Sequence, residues 1–331
     1  MLESVSSFEK GLKPPSYHEV RVTYLKKEIE IINRDMLESY KIEWKKTGCT
    51  LMSDGWTDGK DQSITNFLVN SPRGTVFLKS IDTSGISKNA DNLFELLDSM
   101  VNEIGKENVV QVVTDSASAY VKAGKKLMAK RKQLFWSPCV AHCLDLILSD
   151  IGDLPIHNDV MSKARKITVY IYRHSWVLNL MRKHTKKKEL VRAGVTRFTA
   201  SYLTLRRLHE TKIRFTSMFG SEEWQRNQYS KKADGIKVRD IILANQTFWI
   251  SIKYCLKCVL PLVKILRLAD GDVKPAIGYI YESMDKAKKQ IQNNFRGVKK
   301  NYQPIWDIVD KRWEFQLHRP LHAANYYLNP R

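Results

Sequence analysis

"LMSDGWTDG", Leu51 to Gly59, ends a short apolar run with two aspartates, Asp54 and Asp58, set around a tryptophan. Two readings compete for it. Asp54-Gly55 is a tight turn, or Asp54 is a carboxylate at a strand end and one corner of a metal site. The flanking sequence shows what kind of sheet the run "CTLMS" (49–53) enters. "SITNFLVN" (63–70) and "TVFLKSI" (75–81) are β-branched and aromatic runs separated by "SPRG", a hairpin signal. Leu93, Leu96, Leu97, Met100, Val101 and Ile104 mark an amphipathic helix, and "NVVQVVT" (108–114) reads as a buried strand. A helix "SASAYVKAGKKLMAK" (116–130), a short strand "LFWSP" (134–138) and a helix "AHCLDLILSDIG" (141–152) follow. The order β-β-β-α-β-α-β-α predicts an α/β fold, a mixed sheet with helices on its faces.

In such a sheet the first and fourth strands are neighbours, so Asp54 and Asp115 meet at one rim. Carboxylates are hard oxygen ligands suited to Mg²⁺ or Mn²⁺. Two such ions about 4 Å apart activate a water or hydroxyl and stabilise the leaving oxygen in phosphodiester cleavage. The structural alternative is that Asp115 only N-caps the helix beginning near Ala117.

Upstream, Ser16 and Glu19 form a capping-box signature after Pro14-Pro15, and Leu25, Ile29, Ile32 and Met36 follow at helical spacing. This predicts a helix from about Tyr17 toward Lys46, stopped by Gly48. Beyond Leu154 the pattern is helical throughout, with Pro261 expected to kink or split the stretch "QTFWISIKYCLKCVLPLVKILRLA". The expected division is a lead-in and helix over 1–48, an α/β core over 49–153 and an all-α domain over 154–331.

Charge separates these parts. Residues 1–150 hold 20 Lys+Arg and 20 Asp+Glu; residues 151–331 hold 35 and 15, so 35 − 15 supplies the whole net charge of +20. A neutral half joined to a strongly basic half points to a polyanionic partner, most simply DNA, against the alternative of a solubilising surface. The run "RKHTKKK" (182–188), with Lys186, Lys187 and Lys188, suits phosphate contact or nuclear import; it also suits a cationic helix C-terminus. No apolar run reaches membrane-spanning length, and the first residues lack a secretory apolar region. Five irregularly spaced cysteines fit a reducing compartment. Cys255 and Cys258 form a lone C-x-x-C at helical spacing, read as core packing.

Taken together, "MSDGWTD", "VVTDSASAY", "CVAHCLDLIL", "VTRF" and "LHRPLHAANYYLNP", in this order, resemble the plant hAT-transposase-like proteins of domain-of-unknown-function family 659. The resemblance implies an RNase H-like core with a large helical insertion. It makes Asp54 and Asp115 the first two catalytic, metal-binding carboxylates and Asp58 a bystander. Cys139 and His142 become the family's structural Cys-x-x-His motif near the active site. Arg197 and Phe198 become the pair that opens the insertion, with Phe198 in place of a tryptophan at the DNA end. The family's third carboxylate, a Glu in a Ser-Glu-Arg context beside a dimerisation region, has no counterpart before Arg331; Glu282 and Glu314 are acids outside that motif. The expectation is therefore a nuclear, transposase-derived DNA-binding protein, catalytically incomplete, with vestigial Asp54 and Asp115. Mg²⁺ or Mn²⁺ is needed only if it is competent, and homo-oligomers would form through a C-terminal region absent here. Two alternatives stand beside this: a fragment of an active metal-dependent transposase, and a protein-interaction scaffold.

Overall fold

The computed structural model describes residues 15–191, 198–271 and 276–329. The chain forms two compact units that divide between Ser137 and Pro138.

The first unit opens with the capping box. Ser16 N–H donates to Glu19 Oε2 at 2.7 Å, and Glu19 N–H donates to Ser16 Oγ at 3.2 Å. These two bonds satisfy amide groups that a helix start otherwise leaves open. The helix α1 (17–47) contains wider π turns at Glu19–Tyr24 and Ile32–Leu37. Its first half is largely exposed, whereas Trp44, near its end, is buried. Gly48 stops it at φ 72°, a conformation that costs glycine little, and donates its N–H to the Trp44 carbonyl at 2.9 Å.

Five strands follow: β1 (Cys49–Thr57), β2 (Ser63–Ser71), β3 (Gly74–Asp82), β4 (Val109–Thr114) and β5 (Phe135–Pro138). Helix α2 (Ala90–Ile104) joins β3 to β4, and α3 (Ser118–Lys130) joins β4 to β5. The sheet order is β3-β2-β1-β4-β5, with β1 antiparallel to β2, β2 antiparallel to β3, and β1 parallel to β4. This is the mixed α/β arrangement of an RNase H-like core. One face of the sheet buries Leu51, Phe67, Val69 and Val112 in a cluster with Leu93, Leu97 and Met100 of α2 and Ala123 and Leu127 of α3.

β1 is longer than expected. Asp54-Gly55 is not a turn: Asp54 pairs with Asn66 and Gly55 with Thr65, inside a ladder that continues to Thr57 and Ser63. The turn comes one Asp-Gly later. Asp58 Oδ1 accepts the N–H groups of Lys60 at 2.8 Å and Gln62 at 2.9 Å, and Asp61 takes φ 60°. Local turn propensity was the same at both Asp-Gly pairs, and cross-strand pairing with "SITNF" decided between them.

Helices α2 and α3 are clamped by Asp98, which is 5% exposed. It accepts from Lys130 Nζ and Arg131 Nε, each at 2.8 Å. Burial by itself would raise its pKa, but the hydrogen bonds and charges of Lys130 and Arg131 outweigh burial and hold the carboxyl below its ordinary value. Asp98→Asn is expected to cost about 3 kcal/mol at pH 7, because it strands a nearly buried guanidinium. The folded pKa is depressed, so this stabilisation is complete above the unfolded value of about 4 and fades as the pH falls through the folded one. Urea unfolding of both proteins at pH 7 and pH 3 checks this: the gap between them should narrow at pH 3.

The second unit is all-α among its described residues. Its axis is the helix Gln246–Ala269, which runs unbroken through Pro261. Pro261 does not split it: the ring is itself buried, along with eleven other residues of this helix, and that packing outweighs one lost hydrogen bond and a clash of about 3 kcal/mol. The helices Val140–Gly152, Pro155–Arg173, Phe198–Glu210 and Ile280–Asn294 pack into the same core. Arg312 closes the unit on Asp150 with a two-pronged ion pair at 2.6 and 2.8 Å. Cys255 and Cys258 are fully buried in this core, where burial pushes both thiols up to about 12.

Candidate functional site

The last residues paired between β1 and β4 are Met52 and Val113. Asp54 and Asp115 each lie two positions further on. Side chains alternate along a strand, so Asp54 belongs to the same face as Met52; Asp115 directly follows Thr114, the last residue of β4, so the two acids stand at the ends of adjacent strands about 4.8 Å apart. The row extends across the sheet, because Asp54 pairs with Asn66 and Asn66 with Ser80. Ser80 Oγ donates to Asn66 Oδ1 at 2.6 Å. Asp54 is exposed, and its carboxylate makes no hydrogen bond or ion pair among the described residues. Asp115 is half-buried, and its Oδ1 accepts the Ala117 N–H at 2.8 Å. Ala117, not Asp115, is the residue at the cap position of α3. Asp115 thus braces the entry to the helix through one oxygen.

The end of β4 is held from below. Trp136 Nε1 on β5 donates to Thr114 Oγ1 at 3.1 Å, and Thr114 Oγ1 donates to the Asp115 carbonyl at 2.8 Å. The indole lies against Gly124 of α3, where no side chain intervenes.

Two residues of this neighbourhood were not singled out from sequence. Tyr120 is buried one turn into α3, and its pKa is raised, first by burial, then by the negative charges of Asp115 and Asp54; the hydroxyls of Ser53 and Thr65 act against the rise. Its hydroxyl lies toward Ser53, Gly55 and Thr65, on the core face of β1 and so opposite Asp54, and the carboxylates act on it only through their charge. Its position five residues after Asp115 was the available signal. Trp56 is 47% exposed on the same face as Asp54, two residues along β1. Its indole offers a stacking surface beside the aspartates. Nothing in the spacing separates an exposed strand tryptophan from a core one.

Two neighbouring carboxylates suit Mg²⁺ or Mn²⁺, which takes one or two protein carboxylates and completes its shell with water and phosphate oxygens. Among the described residues no group of three or more His, Cys, Asp or Glu converges as a metal cluster.

The other residues named from sequence lie in the second unit. Cys139 immediately precedes the helix Val140–Gly152 and is half-buried; His142, in its first turn, is exposed. Lys186, Lys187 and Lys188 are exposed just past the helix Ser175–Thr185, with Lys186 and Lys187 in left-handed conformation at φ 54° and 60°. Lys187 N–H caps the Arg182 carbonyl at 2.9 Å. Phe198 is half-buried and packs toward Gly152 and Met161. Arg197 lies outside the described residues. Glu282 is paired with Lys286 at 2.7 Å.

Residues 15–167 match the family described as Domain of unknown function (DUF659). The match covers 153 of the chain's 331 residues. DUF659 is associated with hAT-like transposases, and the matched segment contains the whole five-stranded sheet, both rim aspartates, Cys139 and His142. A comparison with curated proteins found no match. Among the described residues no helix is long and apolar enough to cross a membrane.

Proposed function

We propose that this chain, similar to DUF659 over residues 15–167, is a transposase-derived, hAT-like protein that binds DNA in the nucleus, with a rim of two carboxylates that is not by itself a complete strand-cleaving centre. The observation that carries the reading is charge: the helical unit, residues 138–331, holds 35 Lys+Arg and 17 Asp+Glu, so 35 − 17 gives +18 of the net +20, while residues 1–137, with the sheet and the carboxylates, hold 20 and 18 and are nearly neutral. Neutralising many phosphates requires such a surplus. Exposed Lys186, Lys187 and Lys188 belong to it, as does Arg197 in sequence. Their exposure also leaves the run accessible to import machinery. Titrating labelled mixed-sequence DNA with the full chain tests the reading. Binding below about 1 μM at 0.1 M salt supports it, and no binding at tens of micromolar rejects it.

Trp56 gives this reading a role for the sheet unit. Trp56→Ala is expected to weaken single-stranded DNA binding by about tenfold, the loss of one stacked base, and duplex binding by less. Fluorescence anisotropy on both substrates checks the difference.

The exposed Asp54 beside Asp115 supports a second reading, a metal-dependent nuclease or transposase. Asp54 and Asp115 would hold Mg²⁺ or Mn²⁺, which supplies activation of a water or hydroxyl at a phosphodiester. Trp56, on the same face of β1 as Asp54, would fix a base. Cleavage of nicked DNA with Mn²⁺ that disappears in Asp115→Ala establishes this reading. Absence of cleavage by the wild-type chain under the same conditions favours DNA binding alone.

A further inference from the structure

The helical unit contains a cavity of about 1250 Å³ lined by the helices Pro155–Arg173 and Ala233–Leu243 and by the start of Gln246–Ala269. Arg165, Lys166 and Arg173 line it from the first helix and Lys237 from the second. None of these four makes an ion pair or hydrogen bond among the described residues. The acids present are fewer: Asp240 is already paired with Arg239 at 2.8 Å, leaving Asp234. Lys166 and Arg173 are seven residues apart on one face of their helix, so their charges are strung over about 10 Å along its axis. Apolar Val169 lies between them and is 52% exposed. At the end of the groove Asn245 caps the 24-residue helix, its side chain accepting the Phe248 N–H, which brings the positive end of that helix dipole to the same place.

We infer that this groove is where the helical unit holds the sugar–phosphate backbone of DNA. The inference rests on the DNA-binding reading above and gives it a location that Lys186, Lys187 and Lys188 do not line. A small anionic metabolite would be met by donors converging on one point in a pocket of about 300–1,000 Å³. Here the volume is larger, and the cations form a line rather than a point. A line of unpaired cations with apolar surface between them matches a strand that alternates phosphate and sugar. Four engaged cations would neutralise about four phosphates.

The test uses the full chain and a labelled mixed-sequence duplex, with affinity measured between 50 and 200 mM salt. The double variant Lys166→Glu, Arg173→Glu is compared with Lys299→Glu, Lys300→Glu, which makes the same charge change at exposed positions outside the groove. Circular dichroism and thermal unfolding confirm that both fold. The groove variant is expected to lose at least about tenfold in affinity, with a salt slope shallower by about 1.8, while the control stays within about threefold. Equal losses in both variants, or none in the groove variant, overturn the inference while leaving the DNA-binding reading standing. No binding by wild type defeats both. A same-sequence RNA duplex bound about tenfold better than the DNA overturns the choice of DNA.

Discussion

Gly124→Ala is expected to destabilise the first unit by about 3 kcal/mol or more, one of the two largest effects of a single methyl in this protein. A Cβ on Gly124 would lie 2.6 Å from Trp136 Cδ1 and closer still to Cγ and Cδ2. These atoms are the root of the indole, not a flexible tip, so the ring cannot swing aside. Trp136 is 4% exposed and belongs to the same core cluster as Leu127 and Leu134. Its ring N–H also holds Thr114, the residue before Asp115. The methyl therefore acts twice. It overpacks the core between α3 and β5, and it loosens the end of β4 that positions the carboxylate. Two units need not unfold together, so hydrogen exchange of the β4 and α3 amides is the suitable readout. Gly59→Ala, at a position with open space around it, is the control and should change little.

Gly235→Ala is the counterpart in the helical unit. A Cβ there would overlap the Tyr229 carbonyl oxygen and sit 2.7 Å from the Tyr170 hydroxyl. That hydroxyl donates to the same carbonyl at 3.0 Å, tying the helix Pro155–Arg173 to the segment before Ala233–Leu243. Backbone has to move, and the hydrogen bond, worth about 1 kcal/mol, goes with it. A loss of about 3 kcal/mol follows, and because these helices form the walls of the basic groove, DNA affinity should fall as well. Thermal unfolding followed through the protection of the 155–173 amides checks the first effect, and anisotropy checks the second. Gly220→Ala, with nothing nearby, should leave both unchanged.

Much of the fold could be read from sequence because its signals are local and redundant. Ser16 and Glu19 announced the helix start that their reciprocal bonds now form. The β-branched and aromatic run "SITNFLVN" and the valines of "NVVQVVT" identified β2 and β4, and strand order alone made β1 and β4 neighbours. What was left open or misread depended on partners distant in sequence. Asp54-Gly55 carries the same letters as Asp58-Gly59, and only pairing with Asn66 and Thr65 makes one a strand and the other a turn. Pro261 breaks helices in isolation, but here a buried stripe along Gln246–Ala269 holds the helix through it.

The candidate site was legible in its acids and not in its setting. Asp54 and Asp115 stand out as carboxylates at strand ends. Tyr120 looks like any helix residue until its hydroxyl is placed against Ser53, Gly55 and Thr65 beneath β1. Trp56 looks like core until its exposure is known. The basic groove has no contiguous signature at all, since Lys166, Arg173 and Lys237 come together only when two helices separated by some sixty residues of chain pack side by side.

The measurement that bears most directly on the central claim is the salt dependence of DNA affinity for the wild-type chain. Counterion release links the slope of log affinity against log salt to the number of phosphates engaged, at about −0.9 each for duplex DNA. Engagement of the four groove cations alone predicts a slope of about −3.6, and engagement of Lys186–Lys188 as well makes it steeper. A slope near zero, or no measurable binding at 50 mM salt, would contradict the account.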